Sequence, residues 1–249
     1  MNTLLKHRSI RRFKSTPIPE EELRELLEAA SRASTCGNMQ LYSLVVTRDK
    51  AMREKLLPCH FGQQMVVEAP CVVTVCADVH RFSMWCRQRD AEPAYDNFAW
   101  FLTAAIDALL AAQNLVVAAE ARGLGICYLG TTLYTAGDIV RTLNLPKGVL
   151  PITTIVLGYP DEKPELTDRL PLDAVVHFEQ YNDYTSAEID ELWAERETSE
   201  QTLALLEHYG ADNLARIFTD FRYPADDNMQ YTKRYLATLR AQGFIDNEQ

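Results

Sequence analysis

Residues 98–119 read FAWFLTAAIDALLAAQNLVVAA, the longest apolar stretch of the chain. The stretch contains Asp107, Gln113 and Asn114, and a membrane span tolerates a central Asp poorly. Continued to Arg122, it would form a helix ~37 Å long. A helix that is apolar on almost every side is buried on most of them. We therefore expect a helix of a soluble protein that is either central or completes its burial against a second subunit.

On both sides of this stretch, apolar runs typical of strands alternate with segments of helical periodicity. Residues 71–77, CVVTVCA, favour a buried strand because they are rich in β-branched residues. In residues 20–33, Leu23, Leu26, Leu27 and Ala30 recur at helical spacing. Strands are predicted over residues 42–47, 71–77, 126–129 and 152–157, and helices over 20–33, 51–57, 98–122, 135–143 (with Thr135 as N-cap), 186–206 and 231–241. This alternation predicts a protein of mixed α and β layers.

The composition fits one domain and argues against several classes of protein. At 249 residues and 47% hydrophobic, the chain buries a substantial core. A formal net charge of -10 argues against a nucleic-acid partner, which needs a basic face. The six cysteines include no C-x-x-C pair, and the first residues contain no apolar signal segment. We expect a reduced, cytoplasmic protein without disulfides and without a membrane partner.

A basic cluster stands out against this acidic background: residues 7–13 read HRSIRRF. Arg supplies a planar fork of donors that fits phosphate, and Ser adds a neutral donor. The cluster predicts either an anion site or a solvated basic N-terminus.

The cluster and the following Pro17-Ile18-Pro19 resemble the opening of the nitroreductase superfamily. Residues 35–40 (TCGNMQ), 62–64 (GQQ), 123–130 (GLGICYLG) and 166–171 (LTDRLP) continue the resemblance in the same order. The closer match is the NAD(P)H-dependent nitroreductase and flavin reductase branch, which binds FMN. The resemblance is good over residues 1–175 and looser beyond.

This resemblance implies an α+β layered fold, with a central mixed sheet flanked by helices and a long central helix at a dimer interface. It implies a single domain of residues 1–249, with a core of about 1–175 and a helical extension of about 176–249. The partners implied are a second copy of the chain, in a homodimer, and a small-molecule electron acceptor.

The family pattern also assigns a set of residues to tightly bound FMN. His7 and Ser9 fall at the phosphate, with Arg8 adjacent, and Arg169 matches a phosphate cation of the pattern by position. Thr167 stands where the pattern usually has Lys, which puts full neutralisation of the phosphate in doubt. The assigned residues are His7, Arg8, Ser9, Arg11, Thr35, Gly37, Gln63, Tyr128, Leu129, Gly130, Thr131, Thr167 and Arg169.

Several of these positions have an alternative interpretation. Arg11 falls where a cation faces flavin N1 and the C2 carbonyl, but it could instead pair with the acidic run 20–22. The Gln63 amide matches N3 and the carbonyl edge, and Gln64 could exchange roles with it. Gly130 would let the backbone approach N5, or it is a plain turn glycine.

Thr35 and Gly37 match a loop that touches the ribityl or pyrimidine side of the flavin, in the family often from the other subunit. Cys36 and Gly37 replace the hydroxyl-rich residues often found there, which weakens that match.

The resemblance implies an oxidoreductase that transfers hydride from NAD(P)H through flavin N5 to nitroaromatics, quinones or free flavin, by a ping-pong mechanism. The chemistry would be carried by FMN, with no catalytic side chain; His60, His80, His177 and His208 are interpreted as structural. Alternatives are an FMN-dependent dehalogenase-like enzyme or enoyl reductase, and a non-catalytic flavin carrier or regulator. Residues 207–213, EHYGADN, contain no Lys or Arg that would hold a 2′-phosphate, so we expect weak NADPH selectivity or a preference for NADH.

Overall fold

A computed structural model describes residues 2–245 and contains a four-stranded sheet in the order β1-β2-β4-β3. The strands are β1 (Tyr42–Thr47), β2 (Cys71–Asp78), β3 (Gly125–Leu129) and β4 (Val149–Gly158). Neighbouring strands are antiparallel, and a parallel bridge between Ser9 and Ile126 makes the β3 edge mixed. The predicted α+β layered class is confirmed.

Helices surround this sheet. They are α1 (Asn2–Leu5), α2 (Glu20–Ser31), α3 (Lys50–Leu56), α4 (Met65–Glu68), α5 (His80–Arg87), α6 (Phe98–Ala121), α7 (Thr131–Tyr134), α8 (Ala136–Thr142), α9 (Ser186–Glu197), α10 (Glu200–Tyr209), α11 (Leu214–Arg216) and α12 (Ala225–Gln242). Short 3₁₀ turns occur at Cys36–Asn38, Pro58–His60 and Leu172–Ala174, and a π-helical turn at Ile217–Arg222.

The two faces of the sheet pack into two different cores. Strands β2 and β4 are buried along their whole length, as their continuous apolar sequences predict. Val73 of β2 belongs to the core that includes α2 and α6. Val72, its neighbour, belongs to a second core with Leu56 of α3 and Val66 of α4. The sheet therefore lies between two layers of helices.

Helix α6 is anchored to the first core by a buried carboxylate. Asp107 is 2% exposed and accepts hydrogen bonds from the backbone N–H groups of Cys36 (2.9 Å) and Leu41 (3.1 Å). Asn97 caps the first turn, and Gly123, at φ 79°, follows the last. Within residues 2–245, α6 is the one helix long and apolar enough to cross a membrane, a property that core helices of soluble proteins share. The hydrogen bonds of Asp107 agree with a core helix.

One side of α6 is nevertheless apolar and uncovered. Its large hydrophobic residues that are 43–59% exposed are Phe98, Leu102, Ile106, Leu109 and Leu110. Residues 98, 102, 106 and 109 recur at spacings of three and four and form one stripe along the helix. We call these five residues the α6 stripe.

Two local predictions need correction. Thr135 occupies the predicted N-cap position of α8, but its side chain forms no capping hydrogen bond, because its hydroxyl faces the carbonyl oxygens of Cys59 and Thr131. The helix predicted over 186–206 is two helices, because the Ser199 hydroxyl caps α10 by accepting from the backbone N–H of Thr202 (3.2 Å).

The chain divides into two compact units. The first comprises the described residues up to Glu165 and from Tyr231 onward, and it contains the whole sheet. The second, Leu166–Gln230, contains α9, α10, α11 and the π-helical turn. In the second unit, the guanidinium carbon of Arg222 lies 5.6 Å from the ring centroid of Phe218 and 6.0 Å from that of Tyr209. Residues 246–249 of the predicted extension lie outside the described residues.

Candidate functional site

The basic cluster of residues 7–13 runs along the β3 edge of the sheet. Ser9 bridges Ile126, and the backbone N–H of Ile10 donates to the carbonyl of Ile126 (2.8 Å). A Cβ added at Gly125 would lie 2.7 Å from Ile10, so this docking requires glycine there. The sequence therefore fixes the basic cluster to the sheet instead of leaving it as a solvated N-terminus.

Glu162 separates the roles of the two adjacent arginines. Its carboxylate accepts from the backbone N–H groups of Arg11 and Arg12 and from the Arg12 Nε (3.3 Å). These hydrogen bonds, that from the Arg11 N–H above all, hold the pKa of Glu162 below its usual value. The Arg12 guanidinium is thereby engaged by the carboxylate.

The Arg11 guanidinium, in contrast, has no hydrogen bond or ion pair within residues 2–245. The alternative of a pair with the acidic run 20–22 is not formed: Glu20 pairs with Arg48, and Glu22 accepts from the Tyr159 hydroxyl (2.9 Å). A guanidinium held at a fixed backbone position without a carboxylate is available to an anionic ligand.

His7 and Arg8 have protein partners of different kinds. His7 Nδ1 lies 2.7 Å from Glu120 Oε1, so this side chain is engaged by an acid of α6. Arg8 donates from Nε to the carbonyl of Pro164 (2.8 Å) and from Nη1 to that of Lys6 (3.0 Å). These carbonyls orient the Arg8 guanidinium without neutralising it.

At the carboxyl end of β3, the side chains of Tyr128, Leu129 and Thr131 have different partners. Tyr128 donates to Gln113 of α6 (3.2 Å), and burial together with Glu120 raises the pKa of the Tyr128 phenol to about 12. Leu129 lies in the second core. The Thr131 hydroxyl is 2.9 Å from His60 Nδ1.

Gly130 has no steric need to be glycine within the chain. Its φ is -61°, a conformation open to any residue, and a Cβ added there would meet no atom within 4 Å. The turn therefore does not explain this glycine, whereas close approach of a ligand to the backbone would.

The turn that carries Gln63 contains polar atoms without partners. Gln63 Oε1 and His60 Nε2 are buried and accept or donate no hydrogen bond within the described residues. Burial lowers the pKa of His60 to about 4, so its ring is neutral near pH 7. A buried unpaired acceptor is costly, and such an atom commonly marks a ligand contact. The sequence predicted Gln63 as a cofactor contact and interpreted His60 as structural.

Thr35 and Gly37 lie on a different part of the first unit. Cys36, between them, donates its backbone N–H to Asp107 in the middle of α6. Within residues 2–245, no hydrogen bond or ion pair joins this loop to Gln63, Thr131 or the basic cluster. The structure thus links this loop directly to α6.

Thr167 and Arg169 belong to the second unit. Arg169 Nη1 donates to the carbonyl oxygens of Asp168 (2.8 Å) and Thr167 (3.3 Å). The Asp168 carboxylate pairs with Arg196 (3.4 Å), and in the described part of the chain no carboxylate pairs with Arg169.

These residues fit FMN in their chemistry. The unpaired Gln63 oxygen matches an N–H donor such as flavin N3, and the unpaired Arg11 charge matches the electron-rich N1 and C2 edge. The open surface over Gly130 matches a planar ring, and Arg8 matches a phosphate. Among the described residues, no group of three or more His, Cys, Asp or Glu could hold a metal ion.

Comparisons with known proteins identify the family. The model of the nitroreductase family matches residues 4–159. An oxygen-insensitive NADPH nitroreductase of Salmonella typhimurium is 34% identical over 175 residues, which are 70% of this chain and 71% of that protein. An FMN reductase (NADPH) of Bacillus subtilis is 33% identical over 184 residues, or 73% and 74% of the two chains. The crystal structure of an oxidoreductase from Bacteroides fragilis has a TM-score of 0.97 at 47% identity and covers 99% of this chain and 100% of that one.

Proposed function

The chain belongs to the nitroreductase family, and from this premise we propose that it is an FMN-dependent oxidoreductase that passes electrons from NAD(P)H to nitroaromatics, quinones or free flavin. The predicted family, fold and enzyme class are confirmed; the cofactor contacts and the acceptors are proposals. The observation that carries the proposal is the buried, unpaired Gln63 Oε1, because flavin N3–H is a donor that would satisfy it.

Bound FMN would supply the hydride chemistry at N5, and the chain's own residues would hold and tune it. Arg11 would place positive charge at the N1 and C2 edge, where the reduced ring carries negative charge. Arg8 and Ser9, with His7, would hold the phosphate, and Arg169 stays a prediction of the family pattern. The Gly130–Thr131 backbone would face the N5 edge, and no side chain need transfer a proton to start the reaction.

We propose a homodimer as the working unit. Two observations support it: the exposed α6 stripe, and the exposed Cys36–Gly37 segment, which is held to α6 through the Cys36 N–H. A second chain that covers the stripe would remove apolar surface from water and bring its own Thr35–Gly37 loop as a further wall. A reducing, cytoplasmic location suits the six unpaired cysteines.

The test of the function is anaerobic reduction of the FMN-loaded protein by NADH and by NADPH. Flavin absorption that bleaches on addition of either nucleotide, and returns when a quinone or nitroaromatic is added after the nucleotide is consumed, supports the enzyme and its ping-pong order. Flavin that binds but does not bleach points to a carrier. An NADPH to NADH ratio of kcat/KM above about a hundredfold, or ~2.7 kcal/mol, would contradict the expected weak selectivity.

A further inference from the structure

The turn between α3 and α4 holds Gln63 in an unusual backbone. Pro58–His60 form a 3₁₀ turn, and then Phe61 and Gly62 both adopt left-handed conformations at φ 53° and 72°. A bulky residue such as Phe61 is rare in that region, and such conformations persist only where neighbouring structure enforces them.

The enforcing contacts come from α7 and the start of α8. His60, fully buried, places Nδ1 2.9 Å from the Thr131 hydroxyl. The Thr135 hydroxyl donates to the carbonyl of Cys59, the residue before His60. Both bonds join residues more than 70 positions apart in sequence. Each bond connects the turn that carries Gln63 with the segment that begins at Thr131, and these are the two segments proposed to contact the flavin ring.

We infer that His60 is a positioning residue of the FMN site, which ties the Gln63 turn to Thr131 and so fixes the spacing between the amide that meets the pyrimidine edge and the backbone that meets N5. The inference rests on the proposed FMN function. His60 itself touches no reacting atom in this account; it acts through Gln63 and Thr131.

A packing role alone does not explain a histidine here. In either ring tautomer, Nδ1 forms the bond to Thr131 and Nε2 stays buried without a partner. An apolar residue of similar size would avoid that unpaired atom, so the hydrogen bond to Thr131 is the property that only the polar ring contributes.

The experiment measures FMN affinity and flavin midpoint potential for wild type, His60→Leu, His60→Asn, Thr131→Val and the double variant His60→Leu/Thr131→Val. An Asn amide reaches the position of Nδ1 and is expected to keep near wild-type values. His60→Leu and Thr131→Val are each expected to weaken FMN binding about tenfold or more and to shift the potential. The double variant is expected to bind FMN no more weakly than the weaker-binding single variant, because the two single substitutions remove the same hydrogen bond.

Thr132→Val is the matched control. Thr132 is also a fully buried threonine, but its hydroxyl bonds the Leu129 carbonyl and Thr154 instead of His60. It is expected to lower thermal stability and to add to His60→Leu without coupling.

The outcomes test the proposed FMN function and the role of His60 separately. A wild-type protein that does not bind FMN refutes the proposed function. Wild type that binds FMN while His60→Leu and Thr131→Val bind it equally well, at an unchanged potential, refutes the role of His60. Equal losses in His60→Asn and His60→Leu also refute it. If His60→Leu does not fold, Thr131→Val against Thr131→Ser, which keeps the hydroxyl, decides between loss of the bond and no effect.

Discussion

Two loops of the first unit are proposed to meet the same flavin, and they differ in how the chain supports them. The Gln63 turn is braced from behind by His60 and by Thr135, and its side chain ends in a buried atom without a partner. The Thr35–Gly37 loop is tied to α6 by the Cys36 N–H, and its surroundings are open. We propose that the braced loop needs only its own chain, and that the open loop acquires its role from a second chain. The comparison predicts a site assembled from two chains.

The largest effect is expected from placing a charge on the α6 stripe. Ile106 is 59% exposed on that stripe, and Ile106→Glu would bury an unpaired carboxylate if a second chain covers it. The expected cost is about 3–5 kcal/mol of dimer stability, with loss of FMN from the resulting monomer. Light scattering and FMN retention measure both. Met84→Glu, on an α5 side chain that is 47% exposed, is the control and should stay dimeric. A wild-type mass near 28.3 kDa at micromolar concentration would refute the dimer.

The adjacent arginines give the next effect. Arg11→Ala, or Arg169→Ala, should weaken FMN binding by about 1.5–3 kcal/mol, because each removes a charge-assisted contact. Arg12→Ala removes the ion pair of an exposed guanidinium with Glu162 and should change FMN affinity little. Fluorescence titration of FMN measures all three variants. Equal FMN affinity of the three variants would contradict the proposal that Arg11, and not Arg12, contacts FMN.

A smaller effect concerns acid stability on the braced side. The pKa of His60 falls from 6.5 to about 4 on folding, because burial disfavours the charged ring. The unfolded chain therefore binds a proton near pH 6.5 that the folded chain refuses, so stability is lost as pH falls from 6.5 toward 4. The loss at pH 5 relative to pH 7.5 should be about 2 kcal/mol, measured by urea unfolding. His60→Asn should lack this part of the loss. If its stability depends on pH as the wild-type stability does, the His60 ring is solvated in the folded protein.

The smallest effect is expected on the open side. Cys36 is exposed and the other five cysteines are buried, so a thiol reagent should modify Cys36 first in the native protein. Burial raises the pKa of Cys71 and Cys76 to about 12, which keeps both thiols unreactive until unfolding. If the Thr35–Gly37 loop contacts FMN in the dimer, saturating FMN should slow the labelling of Cys36 several-fold. A labelling rate that is indifferent to FMN would remove this loop from the site, and Cys36→Ser is the blank.

The sequence predicted the elements that local patterns determine. The strand over 42–47 and the helix beginning at residue 98 have the predicted bounds, because apolar runs and a capping Asn define them. Gly123 follows the end of α6 at φ 79°. The pairing order of the strands was not predicted, since periodicity within a strand does not specify its neighbour.

The site divides in the same way. Motifs in register predicted Arg11 and Gln63 as cofactor contacts, which stay predictions. No local signal distinguishes His60 from a core histidine, because its partner Thr131 is 71 positions away. Thr135 was read as a helix cap for the same reason: its acceptor, Cys59, is 76 positions distant. Glu162 was not singled out, although it decides which of two adjacent arginines is free.

The most direct measurement of the central claim is a titration of flavin-free protein with FMN, followed by absorbance and by mass in solution. We expect saturation at one FMN per chain in a particle of twice 28.3 kDa, and we expect Gln63→Leu to lower the affinity because the flavin N3–H loses its acceptor. Two results would contradict the proposed FMN site: wild-type protein that binds no FMN at saturating concentration, or a Gln63→Leu variant that binds FMN as tightly as wild type.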